Sequence, residues 1–127
     1  MSMYKSKKRI LIIDDEQSVL DTLDIVLSDE FDVVTFSDLD EAFDYILLNK
    51  KIDLVVIDYH IGKKTGVSFF KDCIRPYYPA VPAILVSGFY DHKQPSLDQA
   101  EIQSLFICSI EKPFDVLAVK KLVIMSI

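Results

Sequence analysis

Polar side chains follow four apolar runs of this chain, at the points where strands would give way to loops. They are Asp14 and Asp15 after residues 9–13, Asp58 after residues 53–57, Ser87 after residues 82–86, and Lys112 after residues 105–110. A carboxylate directly after a buried strand is costly unless it has a partner or a task. Carboxylates, a hydroxyl and an ammonium brought together are the groups that magnesium-assisted phosphoryl transfer requires.

The three aspartates would repel one another if they met in one cleft. Two unit charges ~4 Å apart cost about 4 kcal/mol at an effective dielectric constant of ~20. Mg²⁺ would remove this cost, because it takes oxygen ligands octahedrally. Simpler explanations exist: helix-start acids for Asp14 and Asp15, a cap for Ser87, and a surface lysine before Pro113 for Lys112. A cis Lys112–Pro113 bond would aim the lysine inward, although only ~5–6% of X-Pro bonds are cis.

Apolar runs and helical periodicity alternate along the chain, which favours a parallel sheet covered on both faces. Strands are predicted at residues 9–13, 31–36, 53–57, 82–86 and 105–110. Helices are predicted at residues 17–27, from Ser37 or Asp38 to about 48, from Thr65 to 74, after Pro95, and from Phe114 or Asp115 to the end. The alternation of these strands and helices predicts a three-layer α/β domain. In such domains, ligands bind beyond the carboxyl ends of the strands. The pattern alone leaves the strand order open.

Composition limits the class of protein. The 127 residues, 50% of them hydrophobic, fit one domain with a sizeable core. The net charge of −6 argues against direct nucleic-acid binding, and residues 1–8 are expected to be an extended or disordered lead-in. No run reaches the ~20 apolar residues of a membrane span, so we expect a cytoplasmic protein without membrane contact. Cys73 and Cys108 are expected to be buried thiols without a disulfide.

Together these motifs resemble the receiver domain of bacterial two-component response regulators. The matching segments, between Arg9 and the end of the chain, are residues 12–16 (IIDDE), 56–58 (VID), Gly66, 86–88 (VSG) and 111–114 (EKPF). Each is weak alone, but all occur in order at predicted strand ends. The resemblance implies one receiver domain over residues 1–127, with a flavodoxin-like (βα)5 fold and strand order 2-1-3-4-5.

By this resemblance Asp58 is the phosphoacceptor of a phosphorylation-dependent signalling switch. The implied Mg²⁺ site comprises Asp14, Asp15, Asp58 and the backbone carbonyl of His60. Ser87 and Lys112 would bind oxygens of the phosphoryl group. The donor would be a sensor histidine kinase or a phosphotransfer protein. The chain is not expected to be an enzyme beyond catalysing its own phosphorylation and slow dephosphorylation.

Three stretches depart from the family pattern. Gly62 stands where a proline is common, which should make the loop after Asp58 more flexible. Ser109 replaces the usual Tyr or Phe, and strand alternation puts Phe106 on the other face of the sheet. The output change is therefore expected to be altered or weak. Residues 89–103 lack the usual Ala-Gly motif, so the fourth helix is expected to be short or displaced.

The last helix carries more apolar residues than one buried stripe needs. They are Val116, Leu117, Val119, Leu122, Val123, Ile124, Met125 and Ile127. We expect the surplus to form a homodimer or partner face, contacted at Val119 or Val123, or to be a cut end that continued into more chain.

Two other functions stay open. A pseudo-receiver would keep the pocket but act as an interaction module that ignores phosphate, and Ser109 favours this alternative. A phosphatase with an aspartyl nucleophile would carry a second Asp two residues after Asp58, where this chain has His60.

Overall fold

The computed structural model describes residues 6–88 and 99–127. Over these residues the main sheet comprises β1 (Arg9–Ile13), β2 (Asp32–Phe36), β3 (Leu54–Asp58), β4 (Ala83–Ser87) and β5 (Cys108–Glu111). The helices are α1 (Gln17–Leu27), α2 (Leu39–Leu47), α3 (Gly66–Phe69), α4 (Gln99–Leu105) and α5 (Val116–Ser126). A π-helical turn at Phe70–Ile74 continues α3, and a small hairpin pairs His60–Ile61 with Lys64–Thr65.

All five strands run parallel in the order β2-β1-β3-β4-β5, which confirms the α/β class and the order 2-1-3-4-5. β3 and β4 are buried along their whole length, as expected for strands covered by helices on both faces. β2 forms one edge of the sheet. Parallel pairing brings the carboxyl ends of β1, β3, β4 and β5 to the same edge of the sheet.

Two apolar clusters hold the helices to the sheet. On one face, residues of α1 and α5 pack against alternate strand residues such as Ile10 and Ile12. On the other face, residues of α2, α3 and the π-helical turn pack against Leu11 and Ile13. Because neighbouring strand residues face opposite layers, a slip of one residue would move every side chain of a strand into the wrong cluster. The position of each strand end is therefore strongly specified.

Side-chain caps set the starts of three helices where the sequence predicts them. Asp38 accepts a hydrogen bond from the backbone N–H of Asp40 at 2.7 Å before α2. Thr65 accepts one from Ser68 at 3.2 Å before α3. Before α5, Asp115 accepts one from the N–H of Leu117 at 3.0 Å.

The fifth strand begins later than the sequence predicts, at Cys108 rather than near Leu105. Leu105 ends α4, where Ile102 and Leu105 pack against the sheet at helical spacing. An apolar run of this length fits a helix end as well as a strand, so periodicity alone could not divide it.

The prediction that Val119 and Val123 contact a partner is wrong. Both are buried in the core, with 2% and 0% of their surface exposed, because they form the stripe of α5 that meets the sheet. The large apolar residues of α5 that are exposed to solvent are Leu117, Ile124 and Met125, at 69%, 48% and 81%.

The cysteines and the chain termini complete the comparison. Cys73 and Cys108 carry free thiols, as expected, but both are only partly buried. They pack on opposite faces of the sheet. Residues 6–8 are exposed and precede β1, whereas the rest of the expected lead-in and the helix start predicted after Pro95 lie outside the described residues. Within the described ranges, no helix has the length and apolar character needed to cross a bilayer.

Candidate functional site

Four strand ends meet at one edge of the sheet and present the residues that the sequence singled out. Asp14 directly follows β1, Asp58 ends β3, Ser87 ends β4 and Lys112 directly follows β5. The strand register pairs Asp58 with Val86, and it pairs Ser87 with Glu111. Asp14, Asp58 and Ser87 are all buried, although polar groups of this kind are normally exposed.

The ammonium group of Lys112 joins three carboxylates. Its Nζ lies 2.9 Å from Asp14 Oδ2, 3.1 Å from Glu16 Oε1 and 3.2 Å from Asp58 Oδ2. The Lys112–Pro113 peptide bond is cis, the geometry considered from the sequence. The backbone N–H of Lys112 donates to the carbonyl of Ser87 at 2.7 Å, which ties the ends of β4 and β5 together.

The site holds more negative charge than Lys112 balances. Burial, followed by the charge of Asp14, raises the pKa of Asp58 to about 6, although Lys112 acts in the opposite direction. Burial also raises the pKa of Asp14. Burial lowers the pKa of Lys112, but hydrogen bonding and charge from Asp14 outweigh it, and the net direction is upward. An additional cation would therefore be favoured beside Asp58.

Three consecutive acidic residues offer oxygens to such a cation. Carboxylate oxygens of Asp14, Asp15 and Glu16 all lie within 4.8 Å of one another. Asp15 is exposed, and its Oδ2 accepts a hydrogen bond from the backbone N–H of Gly62 at 3.2 Å. Asp58 is not a member of this acidic group; the Lys112 ammonium bridges it to Asp14. Clustered carboxylates fit Mg²⁺, which prefers oxygen ligands.

The loop after β3 is held close to Asp58. The N–H of Gly66 donates to the carbonyl of Tyr59 at 2.6 Å. A Cβ atom at Gly66 would overlap the backbone oxygen of Asp58, so α3 can begin this close to β3 only without a side chain there. His60 opens the hairpin, and its exposed ring stands edge-on to Tyr59, with centroids 4.7 Å apart.

Glu16 is the residue of this site for which sequence reasoning predicted no role of its own. It stands within the acidic motif that carried the resemblance, yet its contact with Lys112 joins residues 96 positions apart. The only sequence signal that could have placed Glu16 in the site was its position directly after two aspartates. An acidic residue at that position is also explained by the start of a helix.

Ser109 lies in β5, where the family usually has Tyr or Phe, but the predicted position of Phe106 relative to Ser109 is wrong. Ser109 is exposed and pairs with Leu85 in the sheet. Phe106 packs in the same apolar cluster as Leu85, so it does not lie on the opposite face from Ser109. Strand alternation fails here because Phe106 precedes the first residue of β5. Phe106 instead lies against Phe70, with ring centroids 5.1 Å apart.

Comparison with known proteins agrees with this geometry. The family model for the response regulator receiver domain matches residues 10–123. Hydrogenase transcriptional regulatory protein HoxA of Cupriavidus necator is 34% identical over 89 residues, which are 70% of this chain and 18% of that protein. The chain thus spans less than a fifth of that regulator's length.

Solved receiver structures share the fold. A response regulator receiver domain protein from Clostridium thermocellum has a TM-score of 0.79 and 22% identity, covering 94% of this chain and 93% of its own. The beryllofluoride-activated NtrC4 receiver domain dimer has a TM-score of 0.78 and 26% identity, covering 93% and 94%.

Proposed function

Because the chain belongs to the response regulator receiver domain family, we propose that it is a phosphorylation-dependent signalling switch with Asp58 as phosphoacceptor. The observation that carries this proposal is a buried Asp58 carboxylate 3.2 Å from the Lys112 ammonium, at the edge where four parallel strands end. We take residues 1–127 as a single receiver domain.

The transfer itself needs positioning and charge stabilisation more than covalent help. A carboxylate oxygen of Asp58 attacks the phosphorus of a phosphohistidine, and a P–O bond forms as the P–N bond breaks. The electron pair of the broken bond stays on the imidazole nitrogen, and Asp58 becomes an acyl phosphate. Lys112 binds one phosphoryl oxygen, and the hydroxyl of Ser87 hydrogen-bonds another. Later hydrolysis breaks the P–O bond to Asp58 as a water oxygen binds the phosphorus, which restores the carboxylate and releases inorganic phosphate.

Mg²⁺ is the proposed cofactor. Asp14 and Asp15 would hold it together with Asp58 and the backbone carbonyl of His60. The support is the cluster of carboxylate oxygens beside Asp58 and the raised pKa of Asp58, both of which indicate uncompensated negative charge. When bound, the ion would supply positive charge to the phosphoryl oxygens and to the carboxylates that repel one another.

The proposed donor is a sensor histidine kinase or a phosphotransfer protein, and the proposed output is a protein contact. The exposed apolar residues Leu117, Ile124 and Met125 of α5 make that helix the candidate face for a homodimer or a downstream protein. The proposal includes a cytoplasmic location, no direct nucleic-acid or membrane contact, and no enzyme activity beyond self-phosphorylation and autodephosphorylation.

Acetyl phosphate with Mg²⁺ tests the proposal directly by intact-protein mass spectrometry. The wild type should gain one phosphoryl group, and Asp58→Asn should gain none. Asp44→Asn is the matched control, because Asp44 is an exposed aspartate of α2, and it should behave like the wild type. No gain in the wild type would refute a phosphorylated switch.

A pseudo-receiver is the second candidate, favoured by the exposed Ser109 in β5 in place of an aromatic residue. It predicts no mass gain, or a gain without structural consequence. Amide hydrogen exchange with and without a phosphoryl mimic separates these cases. Protection that changes around β5 supports the switch, and an unchanged pattern supports the pseudo-receiver.

A further inference from the structure

The ammonium of Lys112 has no donor left for a new ligand. A lysine ammonium has three N–H donors, and three carboxylate oxygens lie within 3.2 Å of this one. If Asp58 carries a phosphoryl group, as proposed above, that group brings more negative charge and more acceptor oxygens than the carboxylate it modifies, and it competes with the neighbouring carboxylates for the donors of Lys112. The three carboxylates are not equally able to leave.

Asp14 and Asp58 are fixed in place. The Asp14 side chain is 3% exposed, and its second oxygen accepts a hydrogen bond from the backbone N–H of Glu16 at 2.9 Å. The Asp58 side chain is 8% exposed and would itself carry the phosphoryl group. Separating Asp14 from Lys112 would leave a buried charge without its partner, which is costly. Phosphorylated Asp58 is an acyl phosphate whose negative charge lies on the phosphoryl oxygens, so it stays beside Lys112 through those oxygens.

Glu16 differs from both. Its side chain is 58% exposed, so water can solvate the carboxylate as soon as it leaves Lys112. Exposed ion pairs contribute little stability and break readily. We propose that Glu16 is a positioning residue that holds Lys112 in the unphosphorylated protein and is displaced from it when a phosphoryl group occupies Asp58. Glu16 thus competes with the phosphoryl oxygen for one donor of Lys112.

The test uses beryllofluoride as the phosphoryl mimic, at saturating Mg²⁺ so that changes in metal affinity do not enter. Its affinity is measured by titration of amide NMR signals. Glu16→Gln keeps the size of the side chain but removes its charge, and it should bind beryllofluoride about twofold to fivefold more tightly, the range expected from an exposed ion pair. Unchanged or weaker binding would overturn the inference.

Glu30→Gln is the matched control. Glu30 is also an exposed glutamate paired with a lysine, with its Oε1 3.2 Å from Lys120 Nζ, but it belongs to a different ion pair. Its replacement should leave the affinity unchanged. In a Lys112→Met background, Glu16→Gln should no longer tighten binding, because no ammonium remains to compete for. A gain that persists without Lys112 would contradict the proposed role.

If Lys112→Met binds too weakly to titrate, the ¹³C resonance of the Glu16 carboxylate decides. In the wild type it should move on addition of beryllofluoride toward its value in Lys112→Met, and a resonance that does not move overturns the inference. Failure of the proposed function gives a different result, because the wild type itself would then not bind beryllofluoride in a manner that depends on Asp58.

Discussion

Replacing Asp58 with asparagine should stabilise the fold more at pH 7.5 than at pH 5.0. Burial and the charge of Asp14 raise the pKa of Asp58 from 3.8 to about 6 in the folded protein. The folded protein favours the protonated carboxyl of Asp58. The contribution of this group to the free energy of unfolding is therefore fully present below pH 3.8 and is lost as pH rises through about 6. Over the full range this loss is about 3 kcal/mol, and about 1.4 kcal/mol of it falls between pH 5.0 and pH 7.5.

Urea unfolding followed by circular dichroism, with a chelator present, measures this loss. The free energy of unfolding of Asp58→Asn minus that of the wild type should increase by about 1.4 kcal/mol from pH 5.0 to pH 7.5. Asp44→Asn, which replaces an exposed aspartate, is measured in parallel as the control. If the difference between Asp58→Asn and the wild type is constant with pH, burial and charge do not destabilise the Asp58 carboxylate, and the argument for a cation beside it fails.

Three further outcomes follow from burial and charge. In urea titrations, Val123→Ala should lower the free energy of unfolding by about 2 kcal/mol, whereas Met125→Ala should leave it unchanged. The reason is that Val123 is 0% exposed and Met125 is 81% exposed. Equal losses would contradict the assigned face of α5. Gly66→Ala should cost about 1–3 kcal/mol by overpacking against Asp58, and it should perturb the amide signals around Asp58. Mg²⁺ at ten times its dissociation constant should stabilise the wild type by about 1.4 kcal/mol in thermal unfolding, and Asp15→Asn should require more Mg²⁺ for the same gain; equal requirements would remove Asp15 from the site.

Local signals were enough for most of the fold. β1 and α1 have the bounds predicted for them, because a continuous apolar run and a helical stripe leave little choice. The carboxyl ends of parallel strands share one edge, so the meeting of Asp58 with Lys112 followed from the fold class. The strand order did not follow from the pattern and came from family resemblance.

Long-range packing decided what the local signals could not. Helical periodicity showed that α5 carries surplus apolar residues, but not which of them face the sheet, and Val119 and Val123 were misplaced for that reason. Phe106 was misplaced because alternation was extended past the start of β5. In both cases the side chain packs against the nearest apolar surface of the folded chain. The sequence pattern does not show where that surface lies.

The balance of charge in the site is likewise a property of the folded chain. Acidic residues and one lysine can be read from the sequence, but their exposure decides what they do. Burial makes ionised Asp58 unfavourable, and Lys112 has only three donors to share among its carboxylates. A buried site with surplus negative charge and no donor to spare favours an added cation, and a phosphoryl group entering it competes with the carboxylates for Lys112. The exposed side chain of Glu16 lets that displacement occur without leaving a charge buried and unpaired.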